Sequence, residues 1–161
     1  MRQLSGVLLL IIAAIPAAAQ SRANRVPGDS QTVVFVCEHG TVKSVVAMAW
    51  FSRLARERGL PLRAISRGTA LDPTIPGVVQ LGLEGDGFDL TAFAPTRFTT
   101  ADVAGAIAVI SFDEPTVVRT VAGRVPTQSW DGLPSVMANY RLARDSIQRR
   151  VGAMVDSLVA R

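Results

Sequence analysis

The apolar residues of the chain fall into short continuous runs and longer runs with helical spacing. The first short run, residues 33–36 (VVFV), is rich in β-branched residues and is typical of a strand buried on both faces of a parallel sheet. It ends at Cys37, where a polar loop follows. A second apolar run begins after Lys43 and is closed by Gly59, a residue that commonly follows a helix. The pattern predicts a strand, a loop and a helix.

The rest of the chain repeats this alternation. Further strands are predicted at residues 60–66, 106–111 and 124–130, and further helices from about Pro73 to Gly85, at 115–121, and from Tyr140 to Leu158. Thr99 and Asp102 have the spacing of a capping box that opens a short helical turn. Strands alternating with helices predict an α/β fold, a single three-layer domain whose parallel sheet is covered by helices on both faces.

Polar residues directly follow three of the predicted strands. Residues 37–44 (CEHGTVKS) follow the first, Asp113 and Glu114 follow the third, and Asp131 follows the fourth. In such sheets ligands bind at the carboxyl ends of the strands, so we expect these loops to form one site.

The first loop has the composition of an oxyanion site with a nucleophile. A tight loop that leads into a helix presents backbone N–H groups and the positive end of the helix dipole to an anion. The same field favours thiolate over thiol, which makes Cys37 a candidate nucleophile. Ser44 can donate a hydrogen bond to the sulfur, and Lys43 supplies a positive charge for the anion.

Composition narrows the class of protein. With 161 residues, 48% of them hydrophobic, the chain is long enough for one core. The formal charge of +4 comes almost wholly from arginines spread along the chain, which indicates a solvated surface rather than a nucleic-acid site. One cysteine and one histidine exclude a structural zinc site of those residue types and an intramolecular disulfide. We expect no metal and no cofactor.

The first 19 residues have the pattern of a secretory signal peptide. Arg2 is followed by an apolar run at residues 7–15 and by small residues up to Ala19. The alternative is an uncleaved anchor, but a membrane span needs roughly 20 apolar residues. We therefore expect cleavage after Ala19, a flexible lead-in at residues 20–30 and a domain at 31–161. The mature protein is then periplasmic or secreted, without stable membrane insertion.

The loop CEHGTVKS after VVFV resembles the active-site loop of the low-molecular-weight protein tyrosine phosphatase family, which includes the thioredoxin-coupled arsenate reductases. Residues 66–69 (SRGT), 112–114 (FDE) and the loop at Trp130 resemble further segments of that family, so the similarity covers the mature chain. The resemblance implies a four-stranded parallel sheet. It also implies hydrolysis of phosphate monoesters, usually phosphotyrosine, through a cysteinyl phosphate.

The resemblance also implies roles for individual residues. Cys37 attacks phosphorus, Ser44 stabilises the thiolate, and Asp131 protonates the leaving oxygen and later activates water. The loop that binds the phosphate comprises Glu38, His39, Gly40, Thr41, Val42 and Lys43. Asp113 and Glu114 form a possible second loop of the site.

The sequence departs from the family at several of these positions. Lys43 stands where the family has arginine. The compact ammonium group of lysine therefore replaces a planar guanidinium group that donates hydrogen bonds to two phosphate oxygens at once. Gly40 replaces an asparagine, His39 replaces a glycine, and Asp131 lacks the proline that follows the family's acid. These changes keep a second function open, a non-catalytic oxyanion-binding module. A thiol-relay arsenate reductase needs more cysteines than Cys37, so only reduction by an external thiol remains.

Each candidate residue also has an ordinary structural interpretation. These are a buried thiol at Cys37, a solvated side chain at Lys43, a loop histidine at His39, a helix cap at Asp113 and a turn residue at Asp131. For the two aspartates the sequence favours neither interpretation. It also leaves the oligomeric state open.

Overall fold

The structure, a computed structural model, describes residues 31–160. The predicted signal peptide and lead-in therefore lie outside the described residues. The strands are β1 Gln31–Cys37, β2 Leu62–Gly68, β3 Ala106–Ser111 and β4 Thr127–Ser129. The helices are α1 Lys43–Glu57, α2 Gly77–Gly85, α3 Pro115–Ala122 and α4 Tyr140–Val159, with a 3-10 helix at Thr100–Val103. Among the described residues, no helix is both long enough and apolar enough to cross a membrane.

The four strands form one parallel sheet in the order β2-β1-β3-β4, which confirms the predicted fold class. The chain passes from β1 outward to β2 and then crosses over to β3 on the other side of β1. The two central strands, β1 and β3, therefore flank the point where the strand order reverses. In open α/β sheets this switch point is where ligands bind, so the loops after β1 and β3 are the first place to look for a site.

Successive residues of β1 point into two separate cores because side chains alternate along a strand. Val33 and Phe35 pack with buried residues of α1, α2 and α4. Val34 and Val36 pack on the opposite face with buried residues of α3. Helices thus cover both faces of the sheet, as predicted. β1 is packed between the two cores, one on each of its faces.

Three predicted boundaries are wrong by a few residues, each for a local reason. Leu60 donates its N–H to the carbonyl of Ala55 at 2.9 Å and so completes the end of α1, which delays β2 until Leu62. α2 begins at Gly77 rather than near Pro73, because Pro76 disfavours helical backbone in the residue before it. β4 is limited to Thr127–Ser129 because it pairs with β3 at only three positions.

Tyr140, the only tyrosine of the chain, anchors the start of α4 to the end of α2. Its hydroxyl donates to a carboxylate oxygen of Asp86 at 2.8 Å, and Arg144 donates to the other oxygen at 2.7 Å. Burial, and then the hydrogen bond to Asp86 and its charge, raise the pKa of Tyr140 above its ordinary value of 10.0. The folded protein therefore holds this proton more tightly than the unfolded chain does.

We expect this contribution to stability to be fully present below pH 10 and to be lost as the pH rises above 10. An absorbance titration of tyrosinate in the folded protein should have a midpoint above 10, and the same titration in denaturant should return to the ordinary value. In Tyr140→Phe, the free energy of unfolding should decrease less above pH 10 than it does in wild type. Equal midpoints in the folded and unfolded protein would contradict the assignment.

Candidate active site

The carboxyl end of β1 places Cys37 at the centre of the candidate site. Cys37 is the last residue of the strand, and only 5% of it is exposed. Its Sγ lies 3.0 Å from Oγ of Ser44 and accepts a hydrogen bond from the backbone N–H of Gly40 at 3.3 Å. α1 begins at Lys43, so the loop of residues 38–42 folds around the sulfur at a helix amino terminus. The structure thus brings the predicted nucleophile, hydroxyl and loop together.

Ser66, at the end of the neighbouring strand β2, extends this contact into a chain of hydroxyl groups. Its Oγ lies 2.8 Å from Oγ of Ser44 and 2.9 Å from the carbonyl oxygen of Gly40, and both serines are buried. A hydroxyl group has one hydrogen to donate. When Ser66 donates to Ser44, the hydrogen of Ser44 is free to point at the sulfur. That order of donors stabilises a negatively charged sulfur.

When Cys37 is a thiol it can instead donate to Ser44, and the chain of donors then runs through Ser66 to the carbonyl of Gly40. The hydrogen bonds of Ser44 and Ser66 can therefore reverse their direction when the charge on the sulfur changes, and no heavy atom has to move.

Gly40 and Gly68 allow the loop to lie directly against the end of β2. The backbone of Gly40 is left-handed, with φ of 71°, and an added Cβ would lie 2.8 Å from the nitrogen of Gly68. Three backbone hydrogen bonds hold the loop beside residues 69–72, because the carbonyls of residues 37–39 accept from this segment at 2.8–3.3 Å. The close approach fixes the path of the loop around the sulfur.

We expect Gly40→Ala to lower the free energy of unfolding by roughly 2–4 kcal/mol, because it adds a clash with the backbone of β2 to the strain of a left-handed alanine. Gly59→Ala is the matched control. Gly59 also has a positive φ, of 65°, but open space around it, so only the strain applies there. Chemical denaturation measures both variants. Equal losses in the two would show that the close approach between Gly40 and Gly68 contributes nothing.

Lys43 and Asp113 form an ion pair that joins the loop after β1 to the loop after β3. The lysine side chain is 19% exposed and the aspartate side chain 49%. The predicted alternative for Asp113, a helix cap, is wrong, because Glu114 is the residue that precedes α3 and it makes no side-chain capping bond. Lys43 is likewise not a freely solvated lysine. The structure therefore places both residues at the switch point.

The remaining predicted residues of the loop differ in their surroundings. His39 lies 3.7 Å from a carboxylate oxygen of Glu38 and 3.4 Å from one of Asp72. Thr41 is fully buried, and its hydroxyl has no hydrogen-bond partner within the described part of the chain, whereas Val42 is half-buried just before α1.

Asp131 follows β4 on the same edge of the sheet, and its hydrogen-bond partners lie outside the loop that follows β1. Its carboxylate accepts from Ser129 at 2.6 Å, and its carbonyl accepts from Arg150 at 3.2 Å. The next residue, Gly132, has φ of 69°, a backbone conformation that glycine adopts readily. Its role as an acid stays a prediction.

Among residues 31–160, no group of three or more histidine, cysteine, aspartate or glutamate side chains is arranged to hold a metal ion.

Comparison with solved structures identifies the fold. A low-molecular-weight protein tyrosine phosphatase from Bacillus subtilis superposes with a TM-score of 0.68 at 18% identity, covering 80% of this chain and 97% of that one. This chain has the low-molecular-weight phosphatase fold. The YwlE arginine phosphatase from Geobacillus stearothermophilus gives a TM-score of 0.65 at 18% identity and covers 80% and 92% of the two chains.

An arsenate reductase from Archaeoglobus fulgidus shares the fold as well, with a TM-score of 0.63 at 22% identity over 77% of this chain and 98% of that one. No protein-family model and no curated protein sequence matches this chain. The low-molecular-weight phosphatase fold therefore hosts both phosphate and arsenate chemistry among these structures, and the choice of reaction has to come from the site.

Two residues of the site escaped sequence reasoning. Ser66 belongs to the segment that resembles the family, but the sequence alone does not show that its hydroxyl contacts both Ser44 and Gly40. Its position near the carboxyl end of a predicted strand is the feature of the sequence that could have indicated its place in the site. Asp72, which contacts His39, follows β2 by four residues and had no signal of its own.

Proposed function

We propose that this protein is a cysteine-dependent phosphatase that hydrolyses phosphate monoesters, of the protein-tyrosine-phosphatase type, through a cysteinyl phosphate. One observation carries the proposal: the Cys37 sulfur accepts from Gly40 and contacts Ser44 at the amino terminus of α1, within a loop that can surround an oxyanion. Both groups can donate a hydrogen bond to a thiolate, which is the form of cysteine that attacks phosphorus.

The reaction has two steps. In the first, Sγ of Cys37 forms a bond to phosphorus, the bond from phosphorus to the ester oxygen breaks, and Asp131 gives that oxygen its proton. In the second, water attacks phosphorus, Asp131 takes a proton from the water, and the bond from sulfur to phosphorus breaks to release inorganic phosphate. Lys43 and the loop amides stabilise the charge on the transferred group in both steps.

The protein is proposed to act outside the cytoplasm, in the periplasm or as a secreted protein. The support is the signal-peptide pattern of residues 1–19, which includes the small residues before the expected cleavage point after Ala19.

A second candidate function, an oxyanion-binding module without turnover, is favoured by the ion pair between Lys43 and Asp113. A lysine that is already paired with a carboxylate stabilises the negative charge of a transition state less than the guanidinium group of an unpaired arginine does. A third candidate, arsenate reduction by an external thiol, draws on the shared fold, but an exported protein meets little reduced thiol.

Initial rates with an aryl phosphate, from mildly acidic to neutral pH, separate these functions. The proposal predicts release of the aryl alcohol and of inorganic phosphate at equal rates. Calorimetric binding of phosphate without any hydrolysis would instead identify the binding module. Production of arsenite from arsenate only when a small thiol is added would identify the reductase.

A further inference from the structure

The positive charge of the candidate site is unusual for this chain. Lys43 is the only lysine among the 17 lysines and arginines of the sequence. Its side chain is mostly buried, and its ammonium group is paired with the half-exposed carboxylate of Asp113. An anion that reaches Lys43 from solvent therefore also meets Asp113.

The backbone holds Asp113 in this position at a cost. Asp113 has φ of 61° and is the only described residue other than glycine with a left-handed backbone. Such a conformation costs roughly 1–2 kcal/mol for a residue with a Cβ, and glycine adopts it freely. From this position its carboxylate forms the ion pair with Lys43. A glycine at position 113 would avoid this strain, but it would have no carboxylate to place beside Lys43.

The other charged side chains near Lys43 and Asp113 in sequence or space do not contact Lys43 in any ion pair of the described residues. His39 lies between Glu38 and Asp72, at 3.7 and 3.4 Å. Glu114, next to Asp113, is half-buried and makes no capping bond. Asp113 is therefore the carboxylate in direct contact with the cation of the loop.

An ionised carboxylate only accepts hydrogen bonds. An oxyanion that keeps a proton can donate it to Asp113 and bind Lys43 through its other oxygens. Sulfate has no such proton, so its oxygens would face the carboxylate with no hydrogen between them. We propose that Asp113 is a specificity-determining residue that makes the site prefer protonated oxyanions, such as the monoanions of phosphate, phosphate esters and arsenate, over sulfate. This inference rests on the proposed function for the location of the anion site.

Titration calorimetry of the mature protein with inorganic phosphate and with sulfate tests the proposal, at a mildly acidic pH where phosphate is mainly the monoanion. Wild type should bind phosphate tighter than sulfate by roughly tenfold or more, the value of one charge-assisted hydrogen bond. Asp113→Asn should tighten sulfate binding and bring the two affinities to within about threefold of each other. Asparagine tolerates the left-handed backbone as aspartate does, so the loop keeps its conformation.

Asp156→Asn is the matched control, since Asp156 is also an exposed carboxylate paired with a basic residue, Arg58, but at the other end of α1. It removes the same charge and should leave the ratio of phosphate to sulfate affinity unchanged. Three results would overturn the proposal: equal affinities in wild type, an unchanged ratio in Asp113→Asn, or no binding of either anion to wild type.

These results are independent of turnover. A protein that prefers phosphate through Asp113 but hydrolyses no ester refutes the proposed function and leaves this inference standing. A protein that hydrolyses aryl phosphate with an unchanged anion ratio in Asp113→Asn refutes only this inference.

Discussion

Replacing Cys37 by serine is expected to lower the rate of aryl phosphate hydrolysis by roughly four to six orders of magnitude, as the loss of other enzyme nucleophiles does. The hydroxyl of serine is a far weaker nucleophile near neutral pH than a thiolate. At this position Gly40 donates a hydrogen bond to the sulfur and Ser44 contacts it. Initial rates of the purified variant measure the effect.

Two controls separate lost chemistry from lost structure. The free energy of unfolding of Cys37→Ser should lie within about 1–2 kcal/mol of the wild-type value. Serine is similar in volume to cysteine, and the surrounding hydroxyl groups can form hydrogen bonds with it. It should also still bind phosphate in calorimetry. Hydrolysis that survives the substitution would show that Cys37 is only a buried thiol.

The second large effect is expected at Lys43. Lys43→Arg should raise kcat/KM for an aryl phosphate by roughly tenfold or more, because a guanidinium can donate two parallel hydrogen bonds to the phosphoryl oxygens where the ammonium acts as a point charge. Steady-state kinetics measure the change. Asp113 can pair with either side chain, so the connection between the two loops is retained.

Lys43→Gln is the matched control for charge, since it keeps most of the length of the side chain. It should lower kcat/KM by roughly 10²- to 10³-fold, the value of one donor to a developing negative charge. If Lys43→Arg and Lys43→Gln have the same activity as wild type, the cation takes no part in the reaction. If wild type and Lys43→Arg are both inactive, the result favours the binding module.

Much of the fold follows from local patterns in the sequence. The β-branched run before Cys37 has the length and composition of a central strand, and the glycine at position 59 marks the end of α1, so the unit that carries the loop was predicted well. β3 was predicted with its observed bounds because it is a short apolar run between turn signals. α2 was placed too early, since two nearby prolines compete with helical spacing over a few residues.

The composition of the site was easier to predict than its connections. The loop at Cys37 is contiguous in sequence, so its residue types and its place before a helix were visible together. The pairing of Lys43 with Asp113 joins residues 70 positions apart and depends on a left-handed backbone, which periodicity does not reveal. The contact of Ser66 with Ser44 depends on the register of β2 against β1, which only the folded sheet defines.

The central claim is that Cys37 carries the phosphoryl group, and trapping of the intermediate tests it most directly. Wild-type protein would be mixed with an aryl phosphate, quenched rapidly in acid and digested, and the peptide that contains Cys37 analysed by mass spectrometry. The proposed mechanism predicts a phosphate on the sulfur of Cys37, which is absent in Cys37→Ser. Hydrolysis that proceeds while Cys37 stays unmodified at every quench time would contradict it.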